Sequence, residues 1–129
     1  MDRETVVALW QSAGLIRPWN DPAADFDLAL SNQASTILLA RDDAALVGSV
    51  MVGFDGHRGW VYYLATDPDR RGLGIGRSLM AAAEVWLKAH GCPKIQLMVR
   101  GDNLAARDFY AAIGYEQQDV ITIGKRFDL

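Results

Sequence analysis

The residues with the most chemical content lie between Arg70 and Arg77, where Gly72-Leu73-Gly74-Ile75-Gly76 is flanked by Arg70, Arg71 and Arg77. Closely spaced glycines let backbone N–H groups converge, and a helix that follows them offers unpaired first-turn amides at the positive end of its dipole. Such a turn holds phosphate. Three arginines around one cradle point to a ligand with several phosphates, in a chain whose net charge is −3. Two familiar phosphate motifs fail on spacing. A dinucleotide fingerprint counted from Gly72 puts Arg77 where its third glycine belongs. A Walker loop counted back from Gly76 puts Arg71 at its first glycine and Arg77 at its lysine.

The elements that must position this turn are legible from periodicity. Residues 3 to 13 place Val6, Val7, Leu9, Trp10 and Ala13 at near-helical spacing, ending at Gly14. Asp21-Pro22 reads as an N-cap followed by proline at the first helical position, opening a second short helix that carries Phe26, Leu28 and Leu30. From Ser35 the period becomes strand-like: STILLAR and ALVGSVMVGF are joined by a turn at Asp42 and Asp43, and GWVYYLAT forms a third strand beyond DGHRG. A helix is expected over Arg77 to His90, with Leu79, Met80, Ala83, Trp86 and Leu87 on one side, stopping at Gly91. KIQLMVR reads as a strand, LAARDFYAAI as a helix introduced by Asp102 and Asn103, and YEQQDVITIGKRF as a final strand region. Strands alternating with helices after residue 60 imply an α/β layer with a strand-helix-strand unit.

Composition bounds the class. At 129 residues, half of them hydrophobic and 22% charged, the chain is expected to form one globular domain over 1–129. Its acidic balance argues against a general nucleic-acid or membrane-surface partner, which would need clustered positive charge. Cys92 is the single cysteine, and no Cys/His spacing suggests a metal site, so neither a disulfide nor a metal is expected. The opening residues lack a secretory pattern and no apolar run approaches a membrane span, so a cytoplasmic protein is expected.

Arg71-Gly72-Leu73-Gly74-Ile75-Gly76 reads R-x-x-G-x-G, and this resembles the signature of the GCN5-related N-acetyltransferase (GNAT) family. The likeness extends upstream to Val61, and a second signature is matched by Asn103, Ala106, Phe109, Tyr110, Gly114 and Tyr115. The resemblance covers about residues 35 to 125. RPWNDP, DGHRG, GCPKIQ and GKR further resemble a group of small bacterial members.

The resemblance implies a mixed, mostly antiparallel central sheet flanked by helices, with two splayed central strands. Family members usually begin with a strand, whereas this chain opens on a helix; an edge left uncovered would make a homodimer plausible. Acetyl coenzyme A is the implied acyl donor. Its pyrophosphate would lie on Arg71, Gly72, Leu73, Gly74, Ile75, Gly76 and Arg77. Its pantetheine arm would pair with Leu64, Ala65 and Thr66, opposite Lys94 to Val99, with Asn103 and Tyr110 nearby. The implied reaction is direct attack of a neutral amine on the thioester, with the Leu64 N–H serving the carbonyl oxygen and Tyr110 protonating the departing sulfur.

The acceptor is an amine of a small molecule or peptide, for which Trp19, Asn20, Asp55, His57 and Tyr62 are candidate contacts. Asp55, His57, Glu116, or a water held by Tyr62 or Tyr63, are candidates for the base. A module that binds acyl coenzyme A without turnover is the second reading, and it predicts binding alone.

Overall fold

Successive residues of a strand point to opposite faces, and one pair on the central strand defines the layers of this protein. In a computed structural model that describes residues 2–128, Ser49 faces Trp10 of the first helix, while Gly48 faces Ile75 and Leu79 of a later one. The sheet therefore lies between helices on both faces.

Helix α1 (Arg3–Ser12) starts at Asp2, whose carboxylate accepts from the Glu4 N–H at 3.0 Å. Helix α2 (Pro22–Ser31) starts at Asp21, which accepts from the Ala24 N–H at 3.1 Å, with proline at the first helical position. Both caps satisfy amides that would otherwise lack partners. Val6, Leu9 and Trp10 of α1 and Phe26 and Ala29 of α2 form one core with Ile37 and Ala65 of the sheet.

Strands β1 (Ser35–Asp42), β2 (Ala45–Phe54) and β3 (Gly59–Thr66) are consecutively antiparallel, and the short β4 (Ile95–Gln96) joins β3 in parallel. Helix α3 (Ile75–Ala89) connects β3 to β4 and buries Leu79, Met80, Ala83 and Leu87. It is the strand-helix-strand unit expected from the sequence. Its N-terminus lies two residues earlier than expected, at Ile75, so Gly76 is helical and Gly74 is the N-cap.

The chain divides into two units, Met1–Met98 and Val99–Leu129. The second contains α4 (Leu104–Ala112), opened by Asn103, whose side-chain oxygen accepts from the Ala106 N–H at 3.1 Å.

Two strand expectations are corrected. The strand expected over 94–100 forms a ladder only at Ile95 and Gln96, because the pairing with β3 ends at Trp60. The final strand region expected over 115–127 forms no strand among the described residues. Val120, Ile121, Ile123 and Phe127 are exposed there, so alternation in the sequence was not matched by a ladder partner. No described helix is long and apolar enough to cross a membrane.

Candidate active site

The chemistry-bearing residues of the first unit gather along β3. Its ladder with β4 consists of Gly59↔Ile95 and Trp60↔Gln96 and then stops. From Val61 to Thr66 the edge of β3 that faces away from β2 has no strand partner among the described residues. Backbone N–H and C=O groups on such an edge are available to an amide-bearing ligand. Leu64, Ala65 and Thr66 all lie in this stretch.

On its other edge β3 is irregular. Ser49 pairs with Ala65 and Met51 with Tyr62, so β3 carries one residue more than β2 in this interval. The irregularity coincides with Tyr63, a bulky residue at φ 52°. Positive φ costs such a residue energy and persists only when its surroundings impose it. Here three contacts do so. The Tyr63 ring stacks on Trp10 with centroids 3.9 Å apart and planes at 11°. The Tyr63 carbonyl accepts from the Ser49 hydroxyl at 3.2 Å, and the Ser49 oxygen accepts from the Trp10 indole N–H at 2.9 Å. The Tyr63 hydroxyl donates to Asp25 Oδ2 at 2.6 Å. Burial, and then the Asp25 carboxylate beside it, push the Tyr63 hydroxyl pKa well up. A bulge bends the strand that carries the extra residue, and here the extra residue falls at Tyr63-Leu64.

Beyond Thr66 the chain passes through a short 3₁₀ turn (Pro68–Arg70), capped by Asp67, into the glycines. Gly72 and Gly74 have φ 81° and 80°, and a Cβ at either would meet nothing within 4 Å. Their requirement is therefore conformational, and the space above them is open. Gly74 caps α3 without any side-chain hydrogen bond, leaving the amides of the first turn to an anion. Arg71 and Arg77 are exposed and form no ion pair with a described residue. Arg70 differs from expectation: it is bonded to Asp42 at the end of β1, so two arginines rather than three remain at the cradle.

A cleft of about 620 Å³ opens between α2 and the sheet. Asn20, Asp25, Asn32, Ser35, Tyr62 and Tyr63 contribute its polar groups, and Leu15, Leu28, Met51 and Val52 much of its apolar wall. Of the expected acceptor contacts, Asn20 and Tyr62 line this cleft; Trp19, Asp55 and His57 are not among its lining residues. Burial, and then the Asp55 charge, raise the Tyr62 hydroxyl pKa.

Asp55 instead organises the β2–β3 turn. Its carboxylate accepts from the N–H groups of His57 at 2.8 Å and Arg58 at 2.7 Å, and from the Trp60 indole at 3.2 Å. The Arg58 and His57 amides hold its pKa below the usual carboxylate value. In the sequence Asp25 is one of four acids, with Asp21, Asp55 and Glu116, that would favour a cationic acceptor if they converged; the bulge went unread. An acidic residue in a helix's first turn is ordinarily a dipole partner, and a register slip depends on the neighbouring strand.

In the second unit, Tyr110 meets Phe109 edge-on at 5.0 Å and lies 5.8 Å from Tyr115. Burial pushes its hydroxyl pKa up to about 12, so it stays protonated at neutral pH. Arg107 donates to the Gly101 carbonyl and to Gln117 Oε1, both at 3.1 Å. Glu116 is exposed.

The model of the acetyltransferase (GNAT) family matches residues 5–115, a span that includes the bulge, the glycine turn and α4. The chain belongs to that family. An acetyltransferase of Pectobacterium atrosepticum is 49% identical over 125 residues, covering 97% of this chain and 89% of that protein. Among solved structures, an aminoglycoside N-acetyltransferase in complex with CoA superposes with TM-score 0.79 at 16% identity, covering 98% of this chain and 91% of the other. A ribosomal-protein-alanine N-acetyltransferase of Brucella melitensis superposes with TM-score 0.76 at 24% identity, covering 98% and 92%. The shared fold thus accommodates acceptors as different as an aminoglycoside and a protein, and this family member is an acyl-CoA-dependent N-acyltransferase.

Proposed function

We propose that this enzyme transfers an acetyl group from acetyl coenzyme A to a primary amine of a small molecule or peptide, both bound at once, and that its two units serve one catalytic domain in the cytoplasm. The observation that carries the reading is the edge of β3. It loses its strand partner after Trp60, bulges at Tyr63, and runs through Thr66 toward the glycine turn.

The residues present fit the donor. Backbone amides of Gly72, Gly74, Ile75, Gly76 and Arg77, with Leu73 in the same turn and Arg71 beside it, suit a pyrophosphate. Leu64, Ala65 and Thr66 suit an amide-bearing arm. When bound, acetyl coenzyme A supplies the activated acyl group as a thioester.

The protein supplies position and protons. The Leu64 N–H, following the bulge, is the donor we assign to the thioester oxygen, where fixed dipoles contribute most to such reactions. Tyr110, protonated at neutral pH, is assigned as the acid for the sulfur; as the N–C bond forms and the C–S bond breaks, the proton of the amine passes to a water held by Tyr62 or Tyr63. The Asn103 side-chain oxygen accepts the Ala106 N–H at the α4 cap, and its amide N–H groups are the donors we assign to acetyl coenzyme A. The acceptor enters the cleft bordered by Asn20 and Tyr62. Asp55 is left out of the catalytic set because its carboxylate holds a turn.

Calorimetric titration with acetyl coenzyme A tests the donor site, using Gly74→Asp as the control. Binding in the parent that disappears in the variant supports the assignment; a parent that does not bind refutes it.

A further inference from the structure

Asp25 has features that its place in α2 does not require. The helix is already capped by Asp21, and Arg3 of α1 pairs with Asp27, not with Asp25, at 2.7 Å. Asp25 forms no ion pair with a described residue. Its Oδ2 takes the Tyr63 hydroxyl, while its Oδ1 takes no hydrogen bond from a described side chain. A carboxylate accepts at two oxygens and about four lone-pair sites, so a single partner leaves most of that capacity unused. The group is half-buried in the wall of a cleft of about 620 Å³ whose other walls are largely apolar. The Tyr63 hydroxyl and the N-terminal dipole of α2 meet part of that charge, and a cation in the cleft would meet the rest.

Tyr63 fixes where that charge stands. Its ring is clamped on Trp10 and its carbonyl on Ser49, so the hydroxyl that holds Asp25 cannot move independently of the bulge. The next residue is Leu64. One rigid residue therefore links the carboxylate in the cleft to the backbone assigned to the reacting carbonyl.

The geometry points to Asp25, held by Tyr63, as the ammonium-recognising group of the acceptor site. The acceptor class is a primary amine on a compact apolar body, bound as its ammonium at Asp25 and giving one proton to water in the cleft before it attacks as the neutral amine. The inference rests on the acetyltransferase reading and deepens it, since that reading requires an amine but neither a charge nor a shape. A cleft of this size suits a single small molecule, and its apolar walls favour one ammonium over a polycation.

The test uses tyramine and tyrosol, which share a phenethyl body and differ in ammonium against hydroxyl. Each is titrated into the coenzyme A-saturated protein by ¹H–¹⁵N NMR. Tyramine is expected to bind roughly ten- to a hundredfold more tightly than tyrosol, the worth of a hydrogen bond to a charged group. Its shifts should centre on Asp25, Met51 and Gly53. Asp25→Asn should remove most of that preference, while Asp27→Asn on the same helix should keep it. If Asp25→Asn does not fold, the Asp25 side-chain carboxyl ¹³C resonance in the parent protein decides instead, moving with tyramine and not with tyrosol. Equal affinities for the two probes, undetectable binding of both, or a preference that survives Asp25→Asn overturns the inference. Coenzyme A binding, measured first, separates these outcomes from failure of the donor site itself.

Discussion

Replacing Ser49 with alanine removes one oxygen from the centre of the protein, and the structure says what that oxygen does. Ser49 and Trp10 are both 0% exposed. The Ser49 hydroxyl accepts the Trp10 indole N–H and donates to the Tyr63 carbonyl. Without it, the indole N–H is left buried with no acceptor, at a cost of about 1–3 kcal/mol, and a neutral hydrogen bond worth roughly 0.5–1.5 kcal/mol is lost as well. The variant should be less stable by about 2–4 kcal/mol in urea denaturation followed by far-UV circular dichroism.

In a Trp10→Phe background there is no N–H to orphan. The same Ser49→Ala change should then cost only about 0.5–1.5 kcal/mol, giving a coupling energy of roughly 1–3 kcal/mol. The carbonyl that the serine releases belongs to the residue at φ 52°, so acetyl transfer should fall in kcat more than in KM. Additivity of the two substitutions within about 0.5 kcal/mol would refute the network, because independent sites add to that tolerance.

Three other outcomes follow from the same contacts. A Cβ at Gly48 would lie 2.7 Å from Ile75 Cγ2, 2.8 Å from Leu79 Cδ1 and 3.2 Å from the Ala65 carbonyl. Gly48→Ala should therefore destabilise by about 1–3 kcal/mol, read from denaturant midpoints, and weaken acetyl coenzyme A binding by displacing the start of α3. Tyr110→Phe should lower kcat by about a hundredfold with little change in KM, the signature of a lost proton donor in steady-state kinetics.

The third outcome concerns alkaline pH. With its folded pKa raised to about 12 by burial, against 10.0 as the ordinary value, Tyr110 retains its proton in the folded state after the unfolded chain has lost it. Its contribution is complete below pH 10 and is lost as pH rises toward 12. Stability scans against pH should thus slope downward across that window and be flatter in Tyr110→Phe.

Fold and site were legible in the sequence to different depths, and the division follows the reach of each signal. Asp21-Pro22, the apolar stripe of α3, the hairpin alternation and the glycine-arginine turn are written within a few consecutive residues, because caps, helical periodicity and phosphate cradles are local devices. Those features located the helices, three of the strands and the glycine turn that precedes α3. The last strand region failed by the same logic in reverse: apolar residues at Val120, Ile121 and Ile123 suit a strand, but a strand exists only where a partner supplies its hydrogen bonds.

Tertiary structure alone decided the rest. The Trp10–Ser49 bond spans 39 residues and the Tyr63–Asp25 bond 38, separations at which no pattern in the chain announces a contact. The same holds for Arg70: its place beside the glycines suits a phosphate ligand, but it is bonded to Asp42, 28 residues away in the chain. What the residues determine by themselves is which elements form and which turn can hold an anion. Where β3 leaves β4, where it bulges, and which carboxylate stands beside that bulge are set by packing, since each depends on surfaces assembled only when the sheet and both helix layers are in place.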